Sequence, residues 1–193
     1  MTPHKPAILS PAGNKTAFLA AIAAGADAVY CGLKHFSARM AAENFTLTEL
    51  KSLVAFAHDR DVQVFIALNS LIKQDELQKA GGLIHALSQD VRPDALIVQD
   101  LAAIELARQA GFGGEIHLST LAAVTTGGDV ALAAKTKGVN RVVLPRELNI
   151  DEIKQVAANC PGNMQLEVFV HGALCYGVSG RCYWSSFLGG KSG

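Results

Sequence analysis

Short apolar runs alternate with helix-patterned segments seven times along the chain. The runs that predict strands are Ala7–Ser10, Ala28–Cys31, Gln63–Leu68, Ala95–Val98, Glu115–Leu118, Arg141–Leu144 and Gln165–Val170. They are rich in Val, Ile and Leu and mostly apolar on both faces, as strands of a parallel sheet covered by helices must be. Helix patterns lie between them. Lys15–Ala24 ends at Gly25, and Thr46–Arg60 opens on Thr46-Leu-Thr-Glu49, in which Thr46 and Glu49 can satisfy free N–H groups reciprocally. Asp75–Ser88, Leu101–Ala110, Gly128–Thr136 and Asp151–Asn159 follow.

Repeating βα units at this spacing predict a (β/α)8 barrel of the TIM type, incomplete by one strand. A doubly wound open sheet is the alternative. The regular repeat favours the barrel, and no Gly-x-Gly-x-x-Gly fingerprint follows the first strand, where Pro11-Ala-Gly-Asn14 is too short to be one. The pattern contains no linker or charge block, so residues 1–193 read as a single domain, with the eighth unit expected beyond Gly193 as part of a longer protein. Without that unit the first and seventh strands face an open gap. Exposed strand edges invite association, so a homodimer through that edge is an expectation.

Composition narrows the partners. Half of the 193 residues are hydrophobic and 18% are charged, a core-rich profile and not a disordered one. Seventeen Lys and Arg balance seventeen Asp and Glu, which argues against a broad basic face for nucleic acid. No apolar run reaches the length of a membrane span, and none of the signal-peptide kind precedes the first strand. Four cysteines at irregular positions suggest reduced thiols or metal ligands, and with them a cytoplasmic protein.

In a barrel the chemistry comes from the carboxyl ends of the strands and the loops after them. Those positions hold Asn69 and Ser70, Gln99 and Asp100, Ser119 and Thr120, Arg146 and Glu147, and Glu167 and His171. Tyr30, Arg39 and Asn44 sit at or after the second strand. Plainer roles compete with each. Ser119-Thr120 and Gln99-Asp100 are also good helix caps, Arg146-Glu147 a strand-end ion pair, and His171 a hydrogen-bonded structural histidine.

The most informative segment runs from Glu167 to Cys182. An alternating strand from Glu167 to His171 feeds a loop with Gly172, Gly177 and Gly180, and that loop carries Cys175 and Cys182. Glycines let backbone wrap closely around a ligand, and two thiolates there suit a soft metal. Cys31, at the end of an apolar strand, reads as a buried small hydrophobe, and Cys160 as structural. His35, His58, His85 and His117 show no zinc-site spacing, and no Gly-x-Ser-x-Gly elbow is present.

The segment Glu167-x-Phe169-x-x-Gly172-Ala173-Leu174-Cys175-x4-Gly180-x-Cys182-x-x-Ser185 resembles the signature of the collagenase-like peptidase family U32. Leu9-Ser-Pro-Ala-Gly-Asn14, Ala23-Ala-Gly-Ala-Asp-Ala-Val-Tyr30, Phe36-x-x-Arg39-x-x-Ala42-x-Asn44-Phe45, His117-x-Ser119-Thr120 and Leu144-x-Arg146-Glu147-Leu148 extend the likeness over nearly the whole chain. Leu121, Ala123 and Thr126 depart from it, standing where the family often has Gln and a nearby Asn. The resemblance implies the N-terminal barrel of an iron–sulfur protein that supports oxygen-independent hydroxylation of RNA pyrimidines, or of a quinone precursor. Cys175 and Cys182 would be two of the four ligands of a [4Fe–4S] cluster, the other two following Gly193. Prephenate is implied as a co-substrate. Glu167 and His171 are then the expected proton carriers, and Asn69, Arg146, Glu147, Ser119 and Thr120 the substrate-binding residues. Two other readings stay open: a peptidase, as the family name states, and a binding or scaffold domain with no activity of its own.

Overall fold

A computed structural model describes residues 5–38, 43–136, 138–172, 175–182 and 184. Arg39 and Ala42, and Ala173, Leu174 and Ser185 of the C-terminal signature, lie outside the described residues. Seven strands form one parallel sheet in sequence order: β1 (Leu9–Ala12), β2 (Ala28–Gly32), β3 (Gln63–Leu68), β4 (Ala95–Val98), β5 (Glu115–Leu118), β6 (Val139–Val143) and β7 (Gln165–Glu167). The crossovers carry α1 (Lys15–Ala23), α2 (Leu47–His58), α3 (Leu77–Ala86), α4 (Leu101–Gln109), α5 (Gly127–Ala133) and α6 (Ile150–Ala158). Sequential parallel order is the barrel arrangement and not the doubly wound one, and among the described residues β7 and β1 do not pair. The result is an incomplete TIM-type barrel, as the repeat pattern predicts.

Alternation along the strands divides the core in two. The outward side chains Val29, Ile66, Leu96, Val98 and Val142 pack with Phe18, Leu50, Leu53, Ile84 and Val130 from the helices in the main cluster. The inward ones, Ala28, Phe65, Ala95 and Ile97 with Leu9 and Tyr30, form a smaller cluster inside the barrel. Polar caps set the helix starts. Thr46 Oγ1 accepts from the Glu49 N–H at 3.3 Å while Glu49 accepts from the Thr46 N–H at 2.8 Å, and Asn14, Thr126 and Asn149 cap α1, α5 and α6.

Several boundaries differ from the sequence expectation, and three of them bear on the core or the site. β1 lies at Leu9–Ala12 and includes Pro11, which an edge strand tolerates. The expected helix Asp75–Ser88 comprises a 3-10 turn (Gln74–Glu76), α3 and a wider π-type turn (Leu87–Val91) that ends on left-handed Arg92. That turn still buries Leu87 and Val91 four residues apart, so apolar spacing alone cannot distinguish it from α-helix. β7 stops at Glu167, three residues short. The last rung of its ladder is the Leu144 N–H donating to the Glu167 carbonyl at 2.8 Å. Val168, Phe169 and Val170 therefore leave the sheet and are exposed.

Candidate active site

The inward positions of the last three strands are polar except for Val143, unlike those of β3 and β4. Register places His117 beside Arg141 and Arg141 beside Gln165, with Glu167 opposite Val143 one step nearer the carboxyl ends. Arg141 is the hub. Its Nη2 and Nε donate to Gln165 Oε1 at 2.6 and 3.1 Å, its Nη1 donates to Glu167 Oε2 at 3.4 Å, and Glu115 Oε2 lies 3.8 Å from Nη2. The guanidinium also stands 5.2 Å from the centre of the Phe65 ring, within cation–π reach. His117 meets the same ring edge-on at 4.8 Å and shares a 2.7 Å hydrogen bond between Nε2 and Glu115 Oε2.

Burial tunes these groups in opposite senses. His117 is fully buried, which pulls its pKa down to about 4 despite the Glu115 hydrogen bond, so the ring is neutral. Burial pushes Glu167 above the usual carboxylate range, against the pull of Arg141. A carboxyl held up in this way exchanges protons nearer neutrality, which suits an acid or base. Glu167 thus stands at the carboxyl end of the barrel interior, where the sequence put a proton carrier. Glu115, His117 and Arg141 were not among the sequence candidates. The available signal was charge on alternate positions of strands that are otherwise apolar.

Around the rim, the polar strand ends mostly tie loops together. Asn69 Oδ1 accepts from the Ala38 N–H at 3.1 Å, joining β3 to the loop after β2. Asn44, with φ of 50°, donates its N–H to the Gly13 carbonyl at 3.1 Å and secures that loop to β1. Ser119 Oγ caps the short turn Thr120–Ala122 by accepting from the Leu121 N–H at 3.2 Å, and Thr120, the first residue of that turn, is half-buried. Asp100 caps α4 through the Ala102 N–H and also accepts from the Ile72 N–H, both at 2.9 Å. Asp100→Ala is expected to lower stability by about 1–2 kcal/mol, with Asp100→Asn losing less, as read from urea unfolding midpoints. Among the described residues four buried side-chain atoms have no partner: Ser70 Oγ, Gln99 Oε1, His117 Nδ1 and Ser179 Oγ. Three of them belong to the neighbouring strands β3, β4 and β5 or the residues just after them.

The cysteine loop is seated on this rim. Arg146 Nη2 donates to the Gly177 carbonyl at 3.2 Å, and Glu147 Oε1 accepts from the Ser179 N–H at 2.7 Å. Burial acts to raise Glu147, but the hydrogen bond from the Ser179 N–H and the Arg146 charge hold it below the usual carboxylate range. Gly180, at φ of 71°, lies against the turn after β5, where a Cβ would meet the Leu121 carbonyl oxygen at 2.6 Å. At Gly177 a Cβ would meet Cys182 Sγ at 3.1 Å and Cys175 Sγ at 3.6 Å, so both sulfur atoms converge on this glycine. Cys175 is exposed and Cys182 half-buried, whereas His171 is exposed and precedes the seat. The other thiols lie apart. Cys31 is buried, with its pKa pushed up to about 12, and Cys160 donates to the Met164 carbonyl at 3.4 Å. Among the described residues no three His, Cys, Asp or Glu side chains form a metal-holding group, and no helix is long and apolar enough to cross a membrane.

The sequence pattern described as Peptidase family U32 matches residues 13–193. The chain belongs to the peptidase U32 family. Among U32 relatives it is 39% identical over 189 residues to the uncharacterized protease MJ0090 of Methanocaldococcus jannaschii, covering 95% of this chain and 45% of that protein. It is 40% identical over 189 residues to the 23S rRNA 5-hydroxycytidine synthase of Escherichia coli, covering 98% and 28%. It is 38% identical over 189 residues to the tRNA hydroxylation protein P of Haemophilus influenzae, covering 97% and 40%. The chain therefore spans less than half the length of these relatives. The solved structure of the U32 peptidase Mk0906 shares the fold, with a TM-score of 0.70 at 15% identity over 87% of this chain and 70% of that one.

Proposed function

We propose that this U32 chain forms the barrel of a cytoplasmic, iron–sulfur-dependent hydroxylase of RNA pyrimidines. The observation that carries the reading is the convergence of Cys175 and Cys182 on Gly177, in a loop docked to the carboxyl ends of β5 and β6. Two thiols around a glycine, where any side chain would intrude, suit part of a [4Fe–4S] ligand set. When bound, the cluster would supply the redox chemistry. Cys175 and Cys182 are two ligands in this reading, and the remaining two come from outside the described residues. Relatives named for rRNA and tRNA hydroxylation support RNA as the substrate.

The chain's own groups then divide the work. Glu167, raised by burial at the end of the barrel interior, takes or gives a proton. His171, exposed at the entry to the cysteine loop, serves as a second proton carrier facing solvent. Asn69, Ser119 and Thr120 line the rim where a base enters, and Arg146 and Glu147 join that rim to the thiols. Prephenate is the co-substrate in this reading, with Arg146 the rim cation that could take one of its carboxylates. The open edge between β1 and β7 is the surface through which a second copy would associate.

Anaerobic iron and sulfide analysis of the full-length protein tests this reading. Four irons and four sulfides per chain are expected, with Cys175→Ser and Cys182→Ser each losing most of both. A protein that stays iron-free after reconstitution would sink it, and peptide cleavage by that metal-free protein, abolished in Cys175→Ser, would establish the peptidase instead.

A further inference from the structure

We propose that Arg146 and Glu147 are positioning residues, which hold the Gly177–Ser179 backbone so that Cys175 and Cys182 present their sulfur atoms as a pair. The proposal rests on the reading of these cysteines as cluster ligands, but it concerns the apoprotein. Of the polar rim residues, these two alone reach into the cysteine loop through the hydrogen bonds described. Arg146 takes the Gly177 carbonyl at 3.2 Å, and Glu147 takes the Ser179 N–H at 2.7 Å, two residues further on. The guanidinium and the carboxylate lie 4.0 Å apart, so each charge helps to aim the other.

Among the described residues the segment between the thiols has few other ties, although Ser179 is buried. Tyr176, Val178 and Arg181 are exposed, and one local turn closes through the Arg181 N–H to the Val178 carbonyl at 3.0 Å. Gly180 fits against the Leu121 carbonyl, which fixes where the segment rests but does not set the peptide at Gly177. Hydrogen bonds in which one partner is charged are the strong ones. Here one acts on Gly177, beside which both sulfur atoms lie, and the other on Ser179 in the same segment. Without them the thiols remain on one loop but sample a wider range of separations, and the entropy of bringing them together falls on metal loading.

This differs from a role for Arg146 in gripping substrate, since the effect is present with neither substrate nor metal. The test is made on the full-length protein, cluster-free, reduced and anaerobic. Cross-linking of Cys175 to Cys182 by dibromobimane is followed by fluorescence, located by peptide mapping, and normalised to alkylation of each thiol by iodoacetamide. Glu147→Ala and Arg146→Ala are each expected to slow the normalised cross-linking about tenfold. Glu147→Gln, which keeps an acceptor for the Ser179 N–H, is expected to recover most of the wild-type rate. Cross-linking at the wild-type rate in both alanine variants overturns the proposal. So does an equal loss in Glu147→Gln and Glu147→Ala, which would show that disturbance of the fold, and not this contact, sets the rate. Slowed cross-linking in a protein that never takes up iron would leave the positioning role standing while the cluster reading fails. Wild-type cross-linking with a full cluster would do the reverse.

Discussion

Replacing Arg141 with leucine is expected to cost about 3–5 kcal/mol of stability, because it leaves buried charge without its partner. Arg141 is 16% exposed and Glu167 is 17% exposed, so neither has the solvent that weakens a surface pair. Gln165 would also lose both of its donors from the guanidinium. The ceiling is set by proton uptake. Glu167 already sits above the usual range through burial, and losing Arg141 lets it rise further and shed its charge more readily. Arg141→Lys keeps the charge but not the fork, and should fall between. Chemical denaturation of the three proteins at neutral pH provides the comparison. A loss under about 1 kcal/mol in the leucine variant would mean that the network is solvated and not structural.

A second large effect belongs to His117 and is a dependence on pH. Its folded pKa is about 4 against an ordinary 6.5, because burial disfavours the imidazolium. Between those values the unfolded chain takes up a proton that the folded chain refuses. The contribution of His117 is therefore complete above pH 6.5, declines as the pH falls, and is gone near pH 4. The shift corresponds to about 3 kcal/mol across that window. Glu167 works in the opposite sense, since a raised carboxyl is relieved as it protonates. The wild type should thus be compared with His117→Gln, which removes the histidine titration and leaves Glu167. Unfolding free energy measured from pH 7 to pH 4 should fall more steeply in the wild type. Parallel curves would show that His117 is not held neutral by the fold.

The architecture was legible because a parallel barrel writes itself into sequence twice, as apolar runs on both faces of each strand and as polar starts to the helices. Thr46-x-x-Glu49 and Asn149-x-x-Glu152 were readable from spacing alone and form capping boxes. Boundaries failed where one residue cannot reveal its neighbour across the sheet. Nothing in the apolar run Val168-Phe169-Val170 shows that the ladder ends at Glu167. The cysteine loop was legible from its glycines and thiols, but its seat was not, since Arg146 and Glu147 meet it from some thirty residues away. Arg141 was passed over because it opened a run read for its valines. Its meaning depends on Glu115 and Glu167, which only the register brings beside it.

The in-order sheet has a consequence for biosynthesis. Every strand pairs with the one made just before it, so no pairing waits for a distant segment. As the chain leaves the ribosome, the turn at Leu121 and the Arg146-Glu147 pair emerge before Cys175 does. The thiols therefore arrive at a receptor already assembled. Nascent protein is spared a period in which two reactive sulfurs trail from an unfolded chain.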